Sequence, residues 1–213
     1  MLVEGKVGVQ VLQDGANSQL RQGRSGEIVT MQAHAAYYEA TYRGNTFTCS
    51  TAAAGITLAA TSLSPLAAGT GTPIVGLWNP QNSGKNLVIN KVNIGLITSS
   101  ASTGNIVWNY AVNQTITATA NGTITSNFIG GAAASVAKAF VNTATTGSTV
   151  GIMFRPAWQF QFVSAVGEVY GPAELDMNSD IIVPPGAYIA LANGVSNTTT
   201  VLQASITWEE VLI

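Results

Sequence analysis

The sequence predicts an all-β protein, an antiparallel β-sandwich of the jelly-roll type with an extended N-terminal arm. Three observations predict it. Short runs that alternate apolar and polar residues recur after residue 45, at spacings typical of sandwich proteins. Turn signals rich in Gly, Pro and Asn separate these runs. No helical period of useful length follows residue 45. We therefore expect an arm, or an arm plus the first strand, over 1–45 and the sandwich over 46–213.

The first 45 residues differ from the rest in charge and in glycine content. They hold eight of the eighteen charged residues, and glycines interrupt them repeatedly. Residues 14–24 predict an extended or looped chain. Residues 27–42 fit a helix by composition and a strand by alternation, and of the two we favour the strand.

Alternating runs predict the strands of the first half of the sandwich. They cover residues 47–58, 74–78 and 87–98, with a loop predicted over 79–84. A fourth run is clear from Ile106 to Val112, where apolar side chains occupy every second position.

Residues 115–128 carry the strongest hairpin signal in the chain. Two Thr-rich alternating runs flank Asn121-Gly122, the dipeptide that a two-residue type I′ turn favours, because it accepts positive φ at both positions. Residues 130–140, rich in Ala, fit either a short helix or a crossing loop.

The last third predicts three further strands, and on the first of them Trp158, Phe160 and Phe162 share one face. Pro184-Pro185-Gly186 marks a turn before a strand over 187–192, and residues 201–212 form the closing strand.

The composition is unusual in its shortage of charge. Charged residues make up 8% of the chain, against roughly 25% in an average soluble domain. Hydrophobic residues make up 46%, which argues against disorder, and no run approaches the length of a membrane span. The polar surface must therefore consist of groups such as those of the 24 Thr and 16 Asn. A rugged secreted protein would fit, but a surface that faces neighbouring subunits fits better, because interface cores are depleted in charge.

The few charges exclude some partners. The cations are not clustered and the net charge is −2, so neither nucleic acid nor an anionic membrane is an expected partner. The single cysteine, Cys49, allows no intrachain disulfide. Because the start shows no secretory signal pattern, we expect synthesis and folding in a cytoplasm.

Residues able to support catalysis are scarce. Any Ser-His-Asp or Cys-His arrangement has to use His34, the only histidine, which lies between alanines and is more easily understood as a packed or surface residue. Of the carboxylate pairs, a turn separates Glu168 from Glu174, while Glu209 and Glu210 are adjacent and point to opposite faces of a strand. We therefore expect no catalytic residues and no enzyme activity.

Ligand sites are equally poorly supported. Glu174, Asp176 and Asp180 have plausible spacing for calcium, but a solvated acidic loop is the simpler interpretation. We expect no metal site and no cofactor. The tryptophans are expected in the core or an interface rather than on a sugar-binding platform; they are Trp78, Trp108, Trp158 and Trp208.

Four segments together resemble a family of small jelly-roll structural proteins of tailed bacteriophages, similar to decoration and cement proteins. The first comprises residues 20–30 and 33–47. The others are residues 76–89, 182–191 and 204–211, in the same order along the chain. The resemblance implies a virion component, made in the host cytoplasm, without chemistry of its own.

By analogy with such proteins, we expect a homotrimer on the capsid exterior that contacts other virion proteins, above all the major capsid protein. The arm would add a strand to a neighbour. Alternatives are a tail, adaptor or fibre-associated protein, a jelly-roll capsid subunit and, more distantly, a carbohydrate-binding module or a glycan hydrolase. The expected assembly residues are Leu20, Arg21, Arg24, Tyr37, Tyr38, Arg43 and Trp208.

Overall fold

The computed structural model describes residues 5–6, 20–21, 35–58, 72–98, 103–145, 147–148, 151–161, 173–194 and 200–213. These residues contain one short helix and thirteen strands: α1 Tyr38–Tyr42, β1 Gly5–Lys6, β2 Leu20–Arg21, β3 Thr46–Ser50, β4 Ile56–Thr57, β5 Val75–Trp78, β6 Lys85–Thr98, β7 Thr103–Ala111, β8 Ile124–Ser126, β9 Lys138–Val141, β10 Ile152–Gln161, β11 Ala173–Val183, β12 Tyr188–Asn193 and β13 Val201–Leu212.

Two antiparallel sheets pack face to face and confirm the predicted jelly-roll sandwich. One has the order β10-β7-β12-β5-β9 and the other β11-β6-β13-β3-β8, with β4 also paired to β13. The eight strands that form the jelly roll are, in chain order, β3, β5, β6, β7, β10, β11, β12 and β13. If they are numbered one to eight, strands one, eight, three and six lie side by side in the larger sheet. Strands two, seven, four and five lie side by side in the smaller sheet. This nesting of early and late strands is the jelly-roll arrangement.

A large apolar cluster fills the space between the sheets. In β13 every second residue from Leu202 to Glu210 is buried, as expected where alternate side chains point to opposite faces of a sheet. The rings of Phe47 and Trp208 lie 6.1 Å apart in this cluster. Each fully buried large apolar side chain contributes about 1.5–3 kcal/mol; the largest here are Trp108, Trp208, Phe47, Leu58, Leu77, Leu87, Ile89, Ile94 and Ile106.

A buried asparagine builds the corner between β5, β6 and β12. The side-chain Nδ2 of Asn79 donates to the carbonyls of Lys85, at 2.8 Å, and Val183, at 2.9 Å. The backbone N–H of Asn79 donates to the Ala187 carbonyl at 2.9 Å, and the Asn79 carbonyl accepts from Gly186 N–H at 2.7 Å. One residue thus joins two loops that are distant in sequence.

The loop predicted over 79–84 and the turn predicted at Pro184-Pro185-Gly186 are both confirmed. The turn closes with a 3.0 Å hydrogen bond from Ala187 N–H to the Pro184 carbonyl. Gly186 has a φ of 81°, a conformation that an L side chain disfavours.

Residues 112–123 cross the outer face of the five-stranded sheet. Ile116 is buried and Ala118 and Ala120 are partly buried, whereas the threonines between them are exposed. They pack on Phe140 and Tyr188, which form a second apolar cluster on the face opposite the main core. This cover explains why all six residues of β12 are buried.

The predicted Asn-Gly hairpin is therefore wrong. Neither Asn121 nor Gly122 has a positive φ. The Asn121 side chain donates to the Val141 carbonyl at 2.7 Å and accepts from Val141 N–H at 2.9 Å, as a neighbouring strand would. Gly122 N–H donates to the Ala139 carbonyl at 3.0 Å. Residues 124–126 pair instead with β3.

Residues 129–137 form a loop, which confirms the crossing-loop alternative for this Ala-rich segment, before β9 begins at Lys138.

The strand favoured over residues 27–42 is wrong where the structure describes it, because Tyr38–Tyr42 is helical. The helix ends at Tyr42. Gly44 follows with a φ of 73°, which suits a C-terminal cap, and Asn45 N–H donates to the Ala40 carbonyl at 2.9 Å. A helix this short shows no periodicity that a sequence can reveal. Residues 22–34 lie outside the described part of the chain.

The chain divides into two units, Met1–Glu39 and Ala40–Ile213, where the sequence predicted a boundary after residue 45. In the first unit, β1 and β2 form a parallel pair, with Gly5 opposite Leu20. The remaining residues of the predicted arm up to 34 are outside the described ranges.

Replacing Asn79 by Ala should lower the free energy of unfolding by about 2–4 kcal/mol, because two buried carbonyls lose their donor. Urea denaturation measures the change. Asn82→Ala in the same loop is the matched control, since Asn82 is exposed, and should stay within about 0.5 kcal/mol. Equal effects of the two substitutions would show that the Asn79 hydrogen bonds do not stabilise this corner.

Gly122→Ala should destabilise the fold by about 1–3 kcal/mol, because the added Cβ would lie 2.7 Å from the Ala139 Cβ and 3.0 Å from the Cys49 Sγ. Gly95→Ala is the control, since its added Cβ would meet nothing within 4 Å. Thermal unfolding of both variants tests this close packing, and a Gly122 variant as stable as the Gly95 variant would refute it.

Candidate functional site

The residues considered for catalysis are not assembled into a site in the described part of the chain. His34 and Glu168 lie outside that part. Cys49 is buried on β3, and its burial raises the pKa of the thiol to about 11. The thiol therefore stays protonated at neutral pH and is a poor nucleophile.

The three acids near residue 176 are held by separate partners. Glu174 forms an ion pair of 2.7 Å with Lys91, and Asp180 forms one of 2.7 Å with Arg155. Asp176 accepts a 3.0 Å hydrogen bond from the backbone of Asn178. Among the residues that the structure describes, no three side chains able to bind a metal come together.

Glu209 and Glu210 point to opposite faces of β13, as predicted from their adjacency. The carboxylate of Glu210 is buried at the end of the core and forms a 2.9 Å ion pair with Lys85. Its other oxygen accepts from the Ser135 hydroxyl at 2.5 Å and from Val136 N–H at 2.9 Å. The contacts with Ser135 and Val136 fasten the 129–137 loop to the sheet, and the ion pair with Lys85 joins β13 to β6, so the role of Glu210 is structural.

The tryptophans lie in or against the apolar clusters, as expected. Trp108 and Trp208 are fully buried, and Trp78 and Trp158 are partly buried against the two clusters. The burial of Trp208 corrects its assignment as an assembly residue: its side chain packs between the sheets and presents no surface to a partner.

The other predicted assembly residues occupy the N-terminal segments. Leu20 and Arg21 form β2, and Arg24 lies outside the described residues. Tyr37 is partly buried with a φ of 70°, while Tyr38 and Arg43 are exposed. The sequence thus locates exposed residues near α1 but misses the surfaces described below.

The outer strand of the five-stranded sheet, β10, is irregular. Register shifts interrupt its pairing with β7 between Met153 and Arg155 and again between Pro156 and Trp158. Proline has no backbone N–H to donate to a further strand. Proline and bulges are the devices by which natural sheets protect an edge.

The other three edges are also protected. In β11 the register shifts between Asp176 and Ile181, and Asn178 and Ser179 in this bulge have positive φ. Asn121 and Gly122 cap β9 with the hydrogen bonds described above, and β8 is only three residues long. The described edges therefore offer no long open strand to which an arm could add.

An apolar groove opens between the two sheets where β10 and β11 lie side by side. We define the groove by Tyr110, Val112, Phe154 and Ile182, which are between 36% and 58% exposed. Its volume is about 340 Å³. The rings of Tyr110 and Phe154 meet edge to face, with centroids 5.9 Å apart. Arg155 and Asp180 join the two edge strands beside it.

A second exposed apolar cluster lies on the opposite side of the sandwich. Phe128 and Ile129, which we call the knob, are 43% and 82% exposed. The ring of Phe128 lies 5.9 Å from that of Tyr42, itself 63% exposed. Isolated exposed apolar residues are common, but clusters of this kind mark interaction surfaces.

Comparison with known proteins finds no match: no protein-family model, no curated protein and no solved structure is similar to the chain. The function therefore has to be argued from the surfaces themselves. Of the helices that the structure describes, none is long and apolar enough to span a membrane.

Glu210→Ala should destabilise the sandwich by about 3 kcal/mol, because it leaves Lys85, Ser135 and the Val136 N–H without their common acceptor. Glu209→Ala, one residue earlier and on the other face, should change the stability by less than about 1 kcal/mol. Denaturant unfolding compares the two. A Glu210 variant no weaker than the Glu209 variant would show that the buried carboxylate is dispensable.

Proposed function

We propose that the chain is a non-enzymatic structural subunit of a tailed-bacteriophage particle, assembled as a homotrimer that decorates and stabilises the capsid. Its partners are copies of itself and the major capsid protein. The observation that carries the proposal is the pair of exposed apolar clusters on opposite sides of a sandwich whose charges are few. A surface of this kind suits permanent contact with other subunits.

The charges that remain support contact rather than chemistry. The ion pairs Lys91–Glu174 and Arg155–Asp180 close within the chain, and Glu210 is occupied inside the fold. Such pairs leave little field to attract a charged small substrate or a nucleic acid.

Three of the four segments that resemble phage structural proteins are scaffold elements in the described part of the fold. Residues 76–89 and 182–191 contain the Asn79 corner, where they hydrogen-bond to each other. Residues 204–211 lie in the centre of the larger sheet. Motifs of this kind determine where strands are placed in the fold, and a structural protein depends on that placement.

A carbohydrate-binding module gains little support from the exposed aromatic residues. Tyr110 and Phe154 meet at an interplanar angle of 78°, so they do not form one flat platform on which a sugar ring stacks. The buried tryptophans provide none either.

Deleting the coding sequence from the phage that carries it tests the proposal. A decoration role predicts complete, tailed particles that lose their DNA at a lower temperature than wild-type particles, and addition of the purified chain should restore the loss temperature. Electron microscopy and a DNA-release assay measure both effects.

Particles without tails would favour the tail or adaptor assignment over decoration. Wild-type particles that contain no copy of the chain, judged by mass spectrometry of purified particles, would refute a virion role altogether.

A further inference from the structure

We propose that Asn121 is a deamidation site that the folded chain keeps closed, and that it becomes reactive only when residues 112–123, which we call the cover, separate from the sheet beneath them. The reaction removes the cap on the outer edge of β9. The inference concerns the folded chain itself, so it goes beyond the proposed function and does not depend on it.

Deamidation is fastest where glycine follows asparagine. The backbone nitrogen of the glycine attacks the side-chain carbon Cγ of the asparagine, the side-chain nitrogen leaves as ammonia, and a cyclic succinimide forms. Glycine favours this step because it has no Cβ to hinder the attack. Water then opens the ring to aspartate or isoaspartate, so the complete reaction consumes water, releases ammonia and needs no other reactant. The chain contains two such pairs, Asn121-Gly122 and Asn193-Gly194.

Hydrogen bonds to β9 block this reaction at Asn121. The Nδ2 of Asn121 donates to the Val141 carbonyl at 2.7 Å, and its Oδ1 accepts from Val141 N–H at 2.9 Å. The attacking atom is also engaged, since Gly122 N–H donates to the Ala139 carbonyl at 3.0 Å. The side chain cannot turn towards the Gly122 nitrogen, and this nitrogen cannot lose its proton, until these bonds are broken. The folded site is therefore closed, although Asn121 is exposed to water.

The two Asn-Gly pairs differ in what must open before they react. Asn193 ends β12, the central strand of the five-stranded sheet, and is only 1% exposed. Gly194 N–H donates to the Asn105 carbonyl at 2.6 Å. Asn121 instead belongs to the cover, which packs on the outer face of that sheet through Ile116 and two alanines. Local opening of such a segment costs less free energy than unfolding of a central strand. Asn121 therefore reacts during local opening, and Asn193 during global unfolding.

The product of the reaction cannot restore the cap. An aspartate at position 121 keeps an oxygen that accepts from Val141 N–H, but it places a second oxygen, with no proton to donate, against the Val141 carbonyl. An isoaspartate also adds a carbon to the main chain just before β8, which disturbs the register of β8 on β3. Either product leaves groups on β9 without partners, and an edge strand in that state is open to strand addition.

Deamidation rates in the folded and the urea-unfolded chain test the closed site. Peptide mapping by mass spectrometry gives the fraction of aspartate and isoaspartate at both positions over time at neutral pH. In urea, Asn121 and Asn193 should react at similar rates. In the folded chain, Asn121 should react at least about tenfold more slowly than in urea, and Asn193 more slowly still.

Ile116→Ala separates local opening from global unfolding. Ile116 is 6% exposed and anchors the cover, so its truncation should speed deamidation of Asn121 by about tenfold or more. Thr117→Ala, at the neighbouring exposed residue, is the matched control and should leave the rate unchanged. Asn193 in the same samples reports global unfolding, and its rate should rise less than that of Asn121.

Asn121→Asp tests the consequence for β9. Hydrogen exchange at the Val141 and Gly122 amides should become at least about tenfold faster than in the wild type, while exchange in β13 stays unchanged. Unchanged protection of both amides would refute the loss of the cap.

The rate measurements are equally decisive. Equal rates for Asn121 in the folded and the unfolded chain would refute the closed site. An Ile116 variant that deamidates at Asn121 no faster than the Thr117 variant, or one in which Asn193 accelerates in parallel, would refute gating by the cover. None of these results bears on whether the chain assembles into particles.

Discussion

A sandwich with very little charge has to protect the edges of its sheets by other means. Exposed edge strands carry unpaired N–H and C=O groups that invite further strands, and natural proteins commonly prevent this with lysine and other charges. Here the chain uses Pro156 and two register shifts on β10, a bulge with positive φ at Asn178 and Ser179 on β11, and the Asn121 side chain on β9. Because these edges are closed to strand addition, a contact between copies would have to be made by side chains.

The faces and the interior of the sandwich are likewise built with few charged residues. The five-stranded sheet is covered by the chain's own residues 112–123, and Tyr188 is buried on this outer face. Burial raises the pKa of Tyr188 far above its ordinary value, with an opposing contribution from the Thr145 hydroxyl. Of the fourteen large apolar residues that the described part of the chain leaves exposed, six lie at the groove and the knob.

The sequence predicts the fold class and the strands well because alternation is a local property that survives in the final structure. β13, predicted over 201–212, is found there. The hairpin prediction failed because Asn121 and Gly122 hydrogen-bond to the edge of β9 instead of forming a turn. No local sequence pattern reveals that this strand edge lies beside them. The groove was missed for the same reason: Tyr110 and Ile182 come together only through sheet order. The alternation of apolar Leu202, Ala204 and Ile206 with polar residues already indicates that Trp208 lies on the inner face of β13, so its assignment to assembly neglected a local signal.

The central claim is that copies of the chain join through side chains while their sheets remain separate. A density map of the assembled protein tests this most directly. We expect subunits that contact one another through exposed side chains, with no hydrogen-bonded ladder between their sheets. A continuous sheet running from β10 or β11 of one subunit into its neighbour would contradict the account.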